Sequence, residues 1–311
     1  MMQKGWMGRK LDRAGLVVML LSGLLLAREC RPETPFRVAT YNVRFFGKEP
    51  TDIRRLAQVI AHAEPTVFAL QELVDDRALQ ALLDELARSG RRYQAVTAQC
   101  GGRSGLRVAF VYDAARVRWE GAREFAGIDV QPGAACTEGD RAALAGTFYR
   151  MNTAVNEQSR ITLLTIHLAA MATDERVALR RQQWKRVFAI VEHLRAELGG
   201  SVLVLGDTNS TGWLTNAHGE RSFIIEQAQA HQLHVETGQL SCSEYYQNEQ
   251  RIYVPSMLDH ILVPVGLVRP GSVRVHGYCA EQRCRALGQT TPPVEYQTVS
   301  DHCPVSVDLG A

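Results

Sequence analysis

The sequence lacks the marks of several protein classes. It has no internal repeat and no low-complexity tract, which leaves out solenoids and fibrous chains. No apolar run approaches the roughly 20 residues that a membrane-crossing helix takes. None of the cysteine spacings matches a zinc ribbon. Aromatic residues make up only 7% of the chain. Basic excess is also missing: the net charge is +2, and the first 27 residues supply four cations and one anion, so the remainder carries −1. A broad cationic surface of the kind that drives nonspecific nucleic-acid binding is therefore absent, and any recognition of an anion has to be local.

The full chain of 311 residues is 46% hydrophobic and 22% charged, the composition of a globular protein with room for one sizeable α/β domain. Lys4, Arg9, Lys10 and Arg13 precede a twelve-residue apolar run at 16–27. This layout predicts a signal peptide or lipoprotein leader over residues 1–30 and a catalytic domain over 36–311. The protein is expected to be exported, either secreted or periplasmic, with lipid anchoring through Cys30 left open. Seven cysteines fit an oxidising compartment. Cys279 and Cys284 are near enough to close a small loop, Cys100 and Cys136 to staple a long one, and Cys303 reads equally well as a buried free thiol; connectivity stays open.

Strand and helix patterns alternate along the chain. Strands are expected at 36–46, 66–70, 93–97, 106–112, 160–168, 202–205, 258–263 and 304–309. Helices are expected at 51–62, 78–88 and 174–198, and an irregular stretch at 121–146. Several apolar runs end in a polar or ionisable residue: Asn42 in TYNV, Glu72 in LQE, His167 in TIHL, Asp207 and Asn209 in GDTN, and Asp259 in LDHI. Asp301 and His302 stand in SDHCPV just before the last strand. Singly, each has an ordinary explanation. Asp207-Thr208-Asn209 could form a turn, His167 could be a core histidine, Glu72 could cap the following helix, Asp259 could sit in a strand-end ion pair, and Ser300-Asp301-His302 could be a capped turn. Their joint placement at strand ends is what those explanations do not supply.

In this order the motifs resemble the signature of the endonuclease/exonuclease/phosphatase superfamily, over residues 36–309, and most closely its deoxyribonuclease I-like members. The resemblance implies a four-layer α/β sandwich: two packed mixed β-sheets flanked by helices. It also implies a phosphoester hydrolase, with a nuclease first and a phosphatase or phospholipid (sphingomyelinase-like) phosphodiesterase as the alternative. The expected partner is a phosphodiester substrate, nucleic acid foremost, met by a monomer; a non-catalytic binding protein is disfavoured by the full set of acids and imidazoles.

Cutting a phosphodiester requires charge neutralisation at phosphate, an aligned water and support for the leaving oxygen. Glu72 is the expected anchor of Mg²⁺, with Mn²⁺ or Ca²⁺ as substitutes, and Asn42 and Asp301 complete that site. Asp207 would orient the water. Asn209 would bond a phosphate oxygen, and Arg44 and Arg107 would contact the substrate phosphate. His302 is expected to pair with Asp259 and carry positive charge, and His167 to serve as a second imidazole. Two positions depart from the deoxyribonuclease pattern: Leu106 stands where a glutamate partner for His167 is expected, and Leu73-Val74 where a groove arginine is expected. The cations Arg176, Arg180, Arg181, Lys185 and Arg186 favour a solvated helix face over a nucleic-acid track, with Trp184 packed into the core. Trp213, Tyr245, Tyr246 and Tyr253 lie in the stretch at 210–255, where they could stack on substrate or simply fill space.

Overall fold

A computed structural model describes residues 35–131, 134–139, 141–151, 159–288 and 291–310. The expected leader and Cys30 lie outside them. Residues from Phe36 onward belong to one compact unit. Its strands are β1 (Phe36–Phe46), β2 (Val67–Leu73), β3 (Tyr93–Thr97), β4 (Arg107–Asp113), β5 (Val117–Phe125), β6 (Ala143–Arg150), β7 (Arg160–His167), β8 (Ser201–Asp207), β9 (Leu233–Val235), β10 (Glu244–Gln247), β11 (Tyr253–Ser256), β12 (Asp259–Pro264), β13 (Arg274–Val275) and β14 (Val305–Leu309). The longer helices are α1 (Ile53–Ala63), α2 (Asp76–Arg88), α3 (Asp174–Leu198) and α4 (Glu220–Ala230). Two six-stranded sheets, ordered β13-β14-β1-β2-β4-β3 and β5-β6-β7-β8-β12-β9, form the centre, and β10 and β11 make a separate ribbon.

Both sheets are mixed. The β1/β2 and β7/β8 pairs are parallel and the rest antiparallel. A helix crosses between the strands of each parallel pair, as parallel neighbours require. α1 forms because Leu56, Val59, Ile60 and Ala63 repeat at helical spacing and all are buried, while the Asp52 side chain accepts from the Arg55 amide at its start. Asp75 caps α2 in the same way through the Arg77 amide, so Glu72 is not needed as a cap. Strand alternation divides β1 cleanly. Phe36 and Val38 join the core cluster that holds Phe110 and Phe148, whereas Ala39, Tyr41 and Val43 pack with Leu56, Ile60 and Leu82 of the helices. On the other sheet, Trp184 and Phe188 of α3 join the same cluster as Leu203 and Leu205 of β8. Helix, sheet, sheet and helix are the expected four layers.

Several expectations change. The stretch at 121–146 is irregular only in its middle: β5 and β6 pair antiparallel across it. β5 was illegible because its side chains, apart from buried Val117, are exposed or half-buried, so charged residues interrupt its pattern. Cys100–Cys136 does form, but Cys284 bonds Cys242 and Cys279 bonds Cys303. The small loop and the free thiol are both incorrect: the Cys284 amide does meet the Cys279 carbonyl at 3.1 Å, but each sulfur bonds a cysteine distant in sequence. On α3 the basic face is not simply solvated: Arg180 is fully buried, as is Trp184. Trp213 and Tyr245 fill space, while Tyr246 is exposed.

Candidate active site

Strand register brings the polar ends together. His167 and Asp207, the last residues of β7 and β8, are direct neighbours, and Asp259 opens β12 opposite Asp207. From the other sheet, Asn42 continues the parity of Val38 and Thr40 and so faces the second sheet. Its Nδ2 donates to Asp207 Oδ2 at 2.9 Å and to Glu72 Oε1 at 3.1 Å. Alternation alone would send Glu72 outward with Phe68 and Leu70. Instead its backbone adopts φ 65°, and the β1/β2 register slips between Asn42 and Phe46. A bulge and a left-handed residue together turn the carboxylate inward, where Oε2 accepts from the Phe45 amide at 2.9 Å. On the other sheet a glycine is required just before Asp207: at φ 147° a Cβ on Gly206 would lie 1.9 Å from the Ile166 carbonyl oxygen.

Asp207 is the hub. Oδ1 accepts from the Asn209 amide at 2.9 Å; Oδ2 faces His167 Nε2 at 3.4 Å and His302 Nε2 at 3.8 Å. His302 Nδ1 lies 2.8 Å from Asp259 Oδ2, the expected pair. Ser300 Oγ donates to the Asn42 carbonyl at 2.7 Å and accepts from the His302 amide, tying the last motif to β1. Asn209 spends both amide hydrogens, on the Leu168 carbonyl at 3.0 Å and on Asp207 at 3.2 Å. In this arrangement it holds Asp207, and the expected bond to a phosphate oxygen requires release of one of them.

Burial sets the charges. Burial raises Asp207 to about 7, His302 opposing and Asp259 adding to the shift. Burial alone would lower His302, but Asp259, Asp207 and Glu244 outweigh it and hold the imidazole well above its ordinary value. His167 goes the other way: burial, then the charges of Arg141 and His302, keep it well below. Among the described residues its buried Nδ1 has no hydrogen-bond partner, in keeping with Leu106 in place of an acid.

The remaining expected residues lie around this centre. The Asp301 carboxylate is half-buried, its Oδ1 3.4 Å from Ser300 Oγ, whose one hydrogen goes to the nearer Asn42 carbonyl. Arg44, at φ 32°, reaches the carbonyls of Tyr296 and Gln297 at 3.4 Å and Glu49 at 3.6 Å. Arg107 is bound to Asp76 at 3.0 Å and to the Val74 carbonyl at 3.2 Å. Two nearby groups carried no motif. Glu244 bridges His302 through the backbone, and burial, with Asp301, Asp207 and Asp259 adding to it against His302, raises its carboxyl to about 8. Arg141 is buried close enough to His167 to oppose its protonation.

A metal fits the donor chemistry. Glu72, Asn42 and Asp301 offer only hard oxygen ligands, and each Glu72 oxygen keeps a lone pair beyond its hydrogen bond. Asp207, Asp259 and His302 form a second compact donor group, their ligand atoms within 4.8 Å of one another.

The Endonuclease/Exonuclease/phosphatase family model matches residues 39–302. The chain belongs to this family. Family members are phosphoester hydrolases, and the solved structures it resembles share its fold. A mannosyl-6-phosphatase of Bacteroides thetaiotaomicron is 17% identical with a TM-score of 0.60, covering 89% of this chain and 100% of that one. TDP2 of D. rerio, complexed with a single-strand DNA product, is 16% identical with a TM-score of 0.60, covering 90% and 100%. The human Nocturnin catalytic domain with bound sulfate is 16% identical with a TM-score of 0.56, covering 89% and 94%. No curated protein matches the sequence. Among the described residues no helix is long and apolar enough to cross a membrane.

Proposed function

We propose that the protein is an exported, divalent-metal-dependent phosphodiester hydrolase that works by in-line attack of water, with nucleic acid among its substrates. The observation that carries this reading is the convergence of Glu72, Asn42, Asp207, His167, Asp259 and His302 on one edge of the two sheets. Glu72, Asn42 and Asp301 would hold Mg²⁺, which when bound supplies charge neutralisation at the phosphate. Asp207, raised toward neutrality, is suited to accept a proton from the attacking water, because a base works best with its pKa near the working pH. Asn209 and Asn42 keep its oxygens oriented. His302, kept cationic by Asp259, clamps the phosphate and stabilises negative charge as it builds. His167 stays neutral and donates from Nε2 toward Asp207 or the substrate.

A second reading, a phosphatase or phospholipid phosphodiesterase, is favoured by specific features. Arg107 is already engaged by Asp76, Leu73-Val74 offers no groove cation, and the chain beyond the first 27 residues carries −1. The test is purified protein with Mg²⁺ or Mn²⁺ on duplex DNA, RNA, sphingomyelin and inositol phosphates. Hydrolysis abolished by a chelator and restored by metal is expected. Phosphate release from monoesters alone would end the nuclease reading, and inertness towards the whole panel would end both.

A further inference from the structure

Arg180 is the largest charged side chain of the core, and it is completely buried with Glu220 as its partner. Its Nε lies 2.5 Å from Glu220 Oε1 and its Nη2 3.1 Å from Oε2, a bidentate pair. The remaining guanidinium hydrogens go to two different loops. Nη1 donates to the carbonyls of Ala169 at 2.9 Å and Met171 at 2.6 Å, in the segment that follows His167. Nη2 donates to Thr211 Oγ1 at 3.1 Å, in the segment that follows Asp207 and Asn209. Glu220 Oε2 accepts from the Gly212 amide at 3.2 Å in that same segment. One helical turn along α3, Gln183 Oε1 accepts from the Ala169 amide at 2.9 Å. Both loops also contain backbone in the left-handed region, Met171 at φ 80° and Asn209 at φ 50°, conformations that neighbouring contacts have to hold in place.

A buried ion pair is a poor source of stability, because the desolvation of two ions offsets most of their attraction, and well-packed apolar residues commonly replace it without loss. What apolar residues cannot replace here is the set of directed bonds into two separate loops. We propose that Arg180 and Glu220 are positioning residues that fix the spacing of His167 against Asp207 and Asn209. The pair couples the loop after β7 to the loop after β8, so the 3.4 Å approach of His167 to Asp207 is set from behind by a group that touches neither substrate nor metal. The inference rests on the phosphoesterase reading for its kinetic arm and on the geometry alone for its spectroscopic arm.

The test is the double variant Arg180→Met, Glu220→Leu, compared with the full-length wild-type protein. Thermal melting should show a folded protein. With Mg²⁺ and bis(p-nitrophenyl) phosphate, kcat should fall by about 30-fold or more while KM stays within about threefold. In metal-free protein the imidazole resonances of His167 should shift and those of His302 should not. A folded double variant with wild-type kcat and an unmoved His167 signal overturns the proposal. Failure of the double variant to fold also overturns it, since the pair would then be a structural necessity. If the wild-type protein hydrolyses nothing, the phosphoesterase reading fails, and the His167 resonance still decides whether the pair positions that side chain.

Discussion

His167 and His302 are both buried, and both face Asp207 Oδ2, at 3.4 Å and 3.8 Å, yet their proton affinities move in opposite directions. The difference lies behind each ring. His302 has Asp259 at 2.8 Å on Nδ1, whereas His167 Nδ1 has no partner among the described residues and His167 meets a like charge in Arg141. A common neighbour therefore does not set an imidazole's state; the atom on the far nitrogen does. The pair gives the site one cation and one neutral donor side by side.

The largest expected effect comes from making His302 resemble His167. Asp259→Asn keeps the shape and removes the charge, so the His302 pKa should drop, and turnover should fall by about 10²–10⁴, the usual worth of a placed proton-carrying group. Histidine NMR titration with steady-state kinetics checks both halves. Unchanged turnover would show that the cationic state of His302 is not used. His302→Ala should cost at least as much.

Glu72→Gln comes next. The amide can keep the Asn42 contact after a flip but presents no charge to a cation, so the Mg²⁺ concentration for half-maximal rate should rise at least about tenfold with little change in melting temperature. A rate titration with Mg²⁺ reads this directly. An unshifted midpoint would move the metal to the Asp207, Asp259 and His302 group, and the comparison of the two histidines would then need to be redrawn around a ligand.

Much of this was legible before the fold was known, for a physical reason. Strands buried on both faces are apolar throughout, so a polar residue ending one, such as Asp207 after Val-Leu-Val-Leu-Gly, stands out against its run. Glu244 and Glu220 had no such background, one beginning a half-exposed ribbon and the other a helix of weak amphipathicity; tertiary contacts alone give them meaning. Arg180 looked like one more cation on a basic helix, because periodicity assigns a face but not the partner waiting on it. Of the two pairings that spacing suggests, Cys100–Cys136 forms and Cys279–Cys284 does not, since sequence spacing carries no distance.

The smallest effect sharpens the comparison through stability. In chelator, the folded His167 binds its proton less readily than the unfolded chain, whose histidines titrate near ~6.5. As pH falls below that value the unfolded state takes up a proton that the native state refuses, so His167 costs stability on the acid side. His302 behaves oppositely: its contribution is complete below ~6.5 and is lost on the alkaline limb, as pH rises through its elevated folded value. Asp207 and Glu244 have the same sign at lower pH, their contributions falling from the ordinary carboxylate range up to about 7 and about 8, so they oppose the acid slope. His167→Gln should therefore flatten the fall of melting temperature between about pH 6.5 and 5, at up to about 1.4 kcal/mol per pH unit for one proton, and leave the alkaline limb alone. His260 and His276, lowered by burial to about 3 and about 4, keep part of the acid slope in place. If His167→Gln instead flattened the alkaline limb, the two imidazoles would have been assigned the wrong way round.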